Sequence, residues 1–141
     1  MPAMGGEVSV KSFVCRVEES PGGRYLEARV QEAGEDLVVV VGGGERPHVG
    51  CVVLAQPVPS NTSGKTWSAS CSVLTIPPHK EEPIARGIAK QLAEVLGRVA
   101  VVTAGVHDDV LDADGIACYL RLGQDLGDEL ARRLGTNGGT A

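Results

Sequence analysis

Aromatic side chains are scarce in this sequence: Phe13, Tyr25, Trp67 and Tyr119 are the only four among 141 residues. A core must therefore be built from Val, Leu, Ile and Ala. The scarcity also counts against nucleic-acid modules that stack bases on rings, and against a site that sandwiches a flat cofactor between rings. Basic charge is short too. Thirteen Lys and Arg against eighteen Asp and Glu leave a net charge of −5, the wrong sign for electrostatic binding of a phosphate backbone. No run approaches the roughly 20 apolar residues of a membrane span. The opening Met1-Pro2-Ala3-Met4-Gly5-Gly6-Glu7 has neither a basic nor a hydrophobic segment and does not read as a secretory signal. Cys15, Cys51, Cys71 and Cys118 form no CxxC pair and sit in apolar or alternating segments. They read as small hydrophobes rather than as a disulfide framework or zinc knuckle, and the expected compartment is the cytoplasm.

Hydrophobic residues are plentiful at 43%, with 22% charged, enough for one packed core and too apolar for a disordered chain. The Gly-rich ends, 1–6 and 135–141, read as mobile tails around a single domain, 7–134. Its first half has strand character. Val8 to Val17 is β-rich, Ser20-Pro21-Gly22-Gly23 signals a turn, and Tyr25 to Gln31 alternates with Leu26, Ala28 and Val30 on one face. After Ala33-Gly34-Glu35-Asp36, the run Leu37–Val41 suits a central strand, and Gly42-Gly43-Gly44-Glu45-Arg46-Pro47-His48 reads as a loop. Val49 to Ala55 is a further apolar strand, Pro57 to Thr66 a polar loop, and Ser68 to Ile76 another alternating strand. The period then changes. Ile84, Ile88, Leu92, Val95 and Leu96 recur at helical spacing, with Pro83 suited to the first turn and Gly97 to the exit. Val99–Thr103 is a short buried strand. Asp112 suits an N-cap before Ile116, Leu120, Leu126, Leu130 and Leu134, a helix with a break expected near Gly123. The expected class is α+β, a mostly antiparallel sheet of about six strands packed with two or three helices as an α/β sandwich.

Strand direction collects the histidines. If the early strands form a meander, the loop with His48, the segment after Ile76 with His79, and the end of the last strand with His107 all fall at one end of the sheet. Arg46, Lys80, Glu81, Glu82, Asp108 and Asp109 accompany them. A helix opening near Glu82 would add N–H groups and a positive dipole end, and the glycine triplet would add backbone donors, as for a phosphate or carboxylate. A divalent metal held by His48, His79 and His107 is conceivable from placement, but no HxH or HExxH spacing supports it. Other motifs fail. Gly64-Lys65-Thr66 lacks the first glycine of a P-loop, because Pro59 stands there, and it leads to a strand. Ser68, Ser70 and Ser72 read as a solvated strand face, and Tyr119 and Trp67 as packing residues.

Three phrases carry a family likeness: Gly43-Gly44-Glu45-Arg46-Pro47-His48-Val49-Gly50 before a buried strand, Pro78-His79-Lys80-Glu81 before a helix, and Ala104-Gly105-Val106-His107 after a strand. In this order they resemble the LpdD-like family, small subunits encoded with gallate-type decarboxylases of the UbiD class, over residues 8–134. The resemblance implies a helper for prenylated flavin mononucleotide, a chaperone or carrier for the decarboxylase rather than the catalyst, with a sandwich like that of proteasome-assembly chaperones. By the same resemblance His48, Gly50, His79, Lys80, Glu81 and His107 would line the functional end and meet prenylated FMN or FMN, and Arg46 is expected to hold the phosphate with Lys80 on the ground of charge. Two other readings stay open. One is a small hydrolase or lyase using the histidines with a divalent metal. The other is a purely structural assembly chaperone that binds a partner through a sheet edge or apolar helix face. Aliphatic strands that need covering would also suit a homodimer.

Overall fold

The structure, a computed structural model, describes residues 11–77 and 80–138. The predicted N-terminal tail, His79 and the last three residues lie outside the described residues. Six strands and two helices follow one another as β1 (Ser12–Glu18), β2 (Tyr25–Ala33), β3 (Asp36–Gly44), β4 (Cys51–Pro59), β5 (Trp67–Thr75), α1 (Glu82–Leu96), β6 (Ala100–His107) and α2 (Ala113–Gly138). The class is the expected α+β, with an open mixed sheet.

The sheet order is β1-β2-β3-β6-β4-β5. Antiparallel hairpins join β1 to β2, β2 to β3 and β4 to β5, while β6 lies parallel to β3 and antiparallel to β4. The expected meander therefore fails at one point: β3 and β4 are not neighbours, because β6 lies between them. Aliphatic content explains the insertion. The run Ala100-Val101-Val102 pairs with Leu37-Val38-Val39 on one side and with Ala55-Leu54-Val53 on the other, so the most apolar strands occupy the middle of the sheet. Strand directions are unaffected by the swap. β3, β5 and β6 all finish at one end of the sheet, here called the upper end.

Both helices lie on one face. α1 packs on β4, β5 and β6, α2 packs on β1 and β2, and the helices pack on each other. The core between the layers is aliphatic, with Leu26, Leu37, Val39, Val53, Ile88, Leu92, Leu126 and Leu130 essentially sealed from water. Pro83 stands in the first turn of α1, and Gly97 closes it at φ 65°, donating its N–H to the Ala93 carbonyl. The Asp112 carboxylate accepts the Gly115 N–H at 2.8 Å and its carbonyl accepts that of Ile116, the capping expected of it.

Several predicted boundaries move. The glycine triplet is the end of β3 rather than a loop, and Pro57–Pro59 belongs to β4. α2 has no break at Gly123 and runs on to Gly138, past the point where the terminal glycines suggested a tail. Gly123 instead lets α2 approach Ile84 of α1. The core stripe of α2 is Cys118, Leu122, Leu126, Leu130 and Leu134, four residues apart, while Ile116 and Leu120 fall outside it and are exposed. Val95, predicted on the stripe of α1, is 60% exposed.

Candidate functional site

The upper end is built by three segments. Residues 44–50 link β3 to β4, Lys80 and Glu81 precede α1, and residues 107–112 link β6 to α2. The first lies along the end of β6: the His48 N–H points to the Gly105 carbonyl at 3.5 Å, and the Gly50 N–H to that of Ala104 at 2.9 Å. This close approach requires Gly105. A Cβ there would lie 1.6 Å from the His48 carbonyl oxygen.

Glu81 is the one buried charged residue among those described, 2% exposed. It stands at the N-cap of α1, yet its carboxylate caps nothing. Its backbone carbonyl takes the N–H groups of Ile84 and Ala85, and the side chain turns inward. There Oε2 meets His48 Nε2 at 3.0 Å and accepts the Val106 N–H at 3.4 Å. Gly50 makes the space, since a Cβ on it would meet the Glu81 carboxyl carbon at 2.7 Å. The other ring nitrogen of His48 faces the Arg46 carbonyl at 3.1 Å. Both ring nitrogens of His48 are thus engaged, one by a buried carboxylate and one by a backbone carbonyl, which fixes the orientation of the ring.

The remaining predicted residues form a second, more exposed cluster. Asp109 Oδ1 lies 3.2 Å from both Arg46 Nη2 and His107 Nε2, and the Asp109 N–H returns a bond to Glu45 Oε1 at 2.9 Å. Asp108 accepts the Glu45 N–H at 3.1 Å and the Tyr119 hydroxyl at 2.7 Å. Burial first, then the neighbouring Asp108 carboxylate, pushes the Tyr119 phenol well above its ordinary range. Burial also pushes up the thiols of Cys51 and Cys118, which fits their reading as packing residues.

The structure thus places Arg46, His48, Gly50, Lys80, Glu81 and His107 at one end, and divides them. His48, Gly50 and Glu81 form one unit; Arg46 and His107 share Asp109. Among the described residues no group of three or more His, Cys, Asp or Glu side chains is arranged to hold a metal. The expected free donors at the start of α1 are few, because Pro83 has no N–H and Ile84 and Ala85 bond to Glu81.

An aliphatic recess adjoins the dyad. Lys80, Glu81, Ile84, Val106, Leu111, Ile116, Tyr119 and Leu120 line a hollow of about 30 Å³. Ile84 and Leu120 continue into a trough of about 430 Å³ between α1 and α2, where Gly87 and Gly123 contribute no side chain. No ion pair holds Lys80 among the described residues. The larger hollow, about 700 Å³, lies at the opposite end among Glu32, Glu35, Asp36 and Arg98. Its arginine is already held by Glu32 at 2.6 Å and by the Glu35 carbonyl, and its other cation, Lys11, stands on a rim with Glu32, Glu35 and Asp36. The histidine end is the candidate site on chemistry rather than on size.

Sequence reading missed the burial of Glu81, the Asp108–Tyr119 bond and the trough. One signal was available: Gly50, Gly105 and Glu81 occur in the three phrases singled out above, and glycine beside a lone charge at strand ends marks close packing.

The chain matches the family model described as "Prenylated flavin chaperone LpdD-like domain" over residues 20–135, and it belongs to that family. It is 29% identical over 106 residues to Protein LpdD of Lactiplantibacillus plantarum, covering 74% of this chain and 73% of that protein. Among solved structures it is similar to a chain of a chaperone complex for yeast 20S proteasome assembly. The TM-score is 0.63 at 18% identity, covering 89% of this chain and 98% of the other, a likeness of fold. No helix among the described residues is long and apolar enough to cross a membrane.

Proposed function

We propose that this chain is a non-catalytic helper that takes up a prenylated flavin mononucleotide at the histidine end and passes it to a UbiD-type aromatic acid decarboxylase. Family membership supports the chaperone role. The observation that carries the ligand assignment is the recess beside Glu81, which combines an aliphatic wall, a lysine with no ion pair among the described residues and a buried carboxylate held against His48.

The residues present fit such a ligand in a particular way. A hollow of about 30 Å³ does not enclose a flavin, whereas the trough that continues it is large enough for a ring system laid along the helices. In this arrangement Ile84, Leu120 and the bare Gly87 and Gly123 surfaces face the prenyl-bearing ring. Lys80 meets the phosphate. His48, oriented by Glu81, presents the exposed part of its ring next to that carboxylate. Arg46 holds Asp109 through Nη2 alone and keeps its other N–H donors for the phosphate. With no pair of rings to clamp the flavin, affinity rests on apolar contact and one or two charges. That suits release to an acceptor protein.

Titration calorimetry with FMN and with riboflavin tests the reading. The expected result is binding of FMN that weakens about tenfold or more when the phosphate is absent, and a Lys80→Ala variant that no longer distinguishes the two. No flavin binding by the purified chain, alone or with the apo-decarboxylase, would overturn it.

A further inference from the structure

The face of the sheet turned away from the helices has no role in that reading. Half-covered antiparallel sheets place polar side chains toward water. β3, β4 and β6 here do not, and β5 joins them only at Leu74, since Ser68, Ser70 and Ser72 occupy the rest of its outward face. Val38 and Val40 of β3, Val101 of β6, and Val52 and Leu54 of β4 alternate with buried residues, and Leu74 of β5 with half-buried ones, and so point away from the helices. Register sets them in two rows, Val38–Val101–Leu54 and Val40–Thr103–Val52–Leu74. Val40 is 47% and Leu74 74% exposed, and the Thr103 hydroxyl within the second row is buried without a partner among the described residues. A contiguous apolar patch of this kind marks an interface in a soluble protein.

We propose that this face is covered by the same face of a second copy of the chain, giving a two-fold-symmetric sheet-on-sheet dimer with the helices outside. Size favours it. The whole face, with the β1–β2 flank included, spans five gaps of ~4.8 Å and about seven residues at ~3.3 Å rise, a footprint on the order of 550 Å² before side-chain relief. That approaches the ~800 Å² per partner of a standard protein interface. Charge favours a like partner. The flank of the patch on β1 and β2 carries Arg16 and Arg29 with Glu18 and Glu27, which pair among themselves. It is neutral in sum, so it neither repels its own copy nor attracts a partner of one charge sign. The upper boundary is already closed, because Pro47 packs where a Gly42 side chain would stand and the His48 carbonyl where a Gly105 side chain would. Sheet-on-sheet packing of the two bare rows thus leaves the histidine segment at the rim of the dimer.

Sedimentation analysis across a wide concentration range tests this. The wild-type chain is expected to sediment at twice the chain mass. Val40→Lys is expected to weaken self-association by about tenfold or more, with unchanged circular dichroism. Leu74→Lys, at a site too exposed to disturb folding, should weaken it as well, while Ile116→Lys on the helical side should leave the dimer intact. A wild-type chain that is monomeric throughout overturns the proposal, as does a dimer insensitive to both sheet variants or one dissociated by Ile116→Lys.

Discussion

At the lower end of the sheet, Arg98 reaches the Glu32 carboxylate at 2.6 Å, both side chains about one-sixth exposed. At the upper end, the 3%-exposed Glu81 side chain reaches His48 at 3.0 Å, with the ring 42% exposed. The lower pair joins a permanently charged guanidinium to the β2–β3 turn through two acceptors, which fixes a loop and leaves nothing to offer a ligand. The upper pair combines a sealed carboxylate with an accessible ring beside an aliphatic recess. Two similar-looking contacts therefore differ in what they leave accessible: at the upper end the acid is buried and the base exposed, whereas at the lower end both partners are largely covered.

Substitutions at the two ends should sharpen the contrast. The largest effect is expected at Gly105. Alanine there would overlap the His48 carbonyl, forcing the histidine segment off β6, and should cost about 3 kcal/mol in denaturant unfolding. Arg98→Ala leaves Glu32 unpaired at a partly exposed site and should cost about 1–2 kcal/mol, with flavin binding unchanged by calorimetry. A loss of binding in Arg98→Ala would erase the distinction between the ends. Tyr119→Phe removes the hydroxyl bond to Asp108 and should cost about 1.5 kcal/mol at neutral pH.

That variant also carries a pH signature. The folded phenol holds its proton where the unfolded one, with a pKa near ~10, loses it. The unfolded state then binds fewer protons, so stability falls as pH rises past ~10. Tyr119→Phe should flatten that fall in a series of thermal melts. The smallest effect has the opposite sign. A Cβ on Gly87 meets nothing within 4 Å, so Gly87→Ala should stabilise α1 by about 0.5–1 kcal/mol. Gly87→Leu should fill the trough and abolish flavin binding without loss of fold.

Local chemistry was legible in the sequence wherever one residue decides the outcome. Pro83, Gly97 and Asp112 mark helix ends because each provides a backbone geometry or cap that few others provide. The alternations around Leu26 and Val73 fix strand faces for the same local reason. What escaped was decided by partners distant in sequence. The place of β6 between β3 and β4 depends on which apolar strands compete for the centre, and linear order does not reveal that. Leu120 and Ile116 satisfy a helical period yet miss the core, since the stripe through Leu126 contacts the sheet and theirs does not. The common end of His48 and His107 was readable from strand direction even with one wrong adjacency, because direction survives the insertion of β6. Pairing His48 with Glu81 needed the Gly50 gap, a three-dimensional fact.

The central claim is that the Glu81–His48 end handles the flavin while the Arg98–Glu32 end only holds the fold. It is tested most directly by reconstituting an apo UbiD-type decarboxylase with prenylated FMN in the presence of wild-type, Glu81→Gln or Arg98→Ala protein, with each variant's folding checked by circular dichroism. The account expects Arg98→Ala to support activation like the wild type and Glu81→Gln to fall to the level seen with no helper. Equal activation by Glu81→Gln and wild type would contradict it.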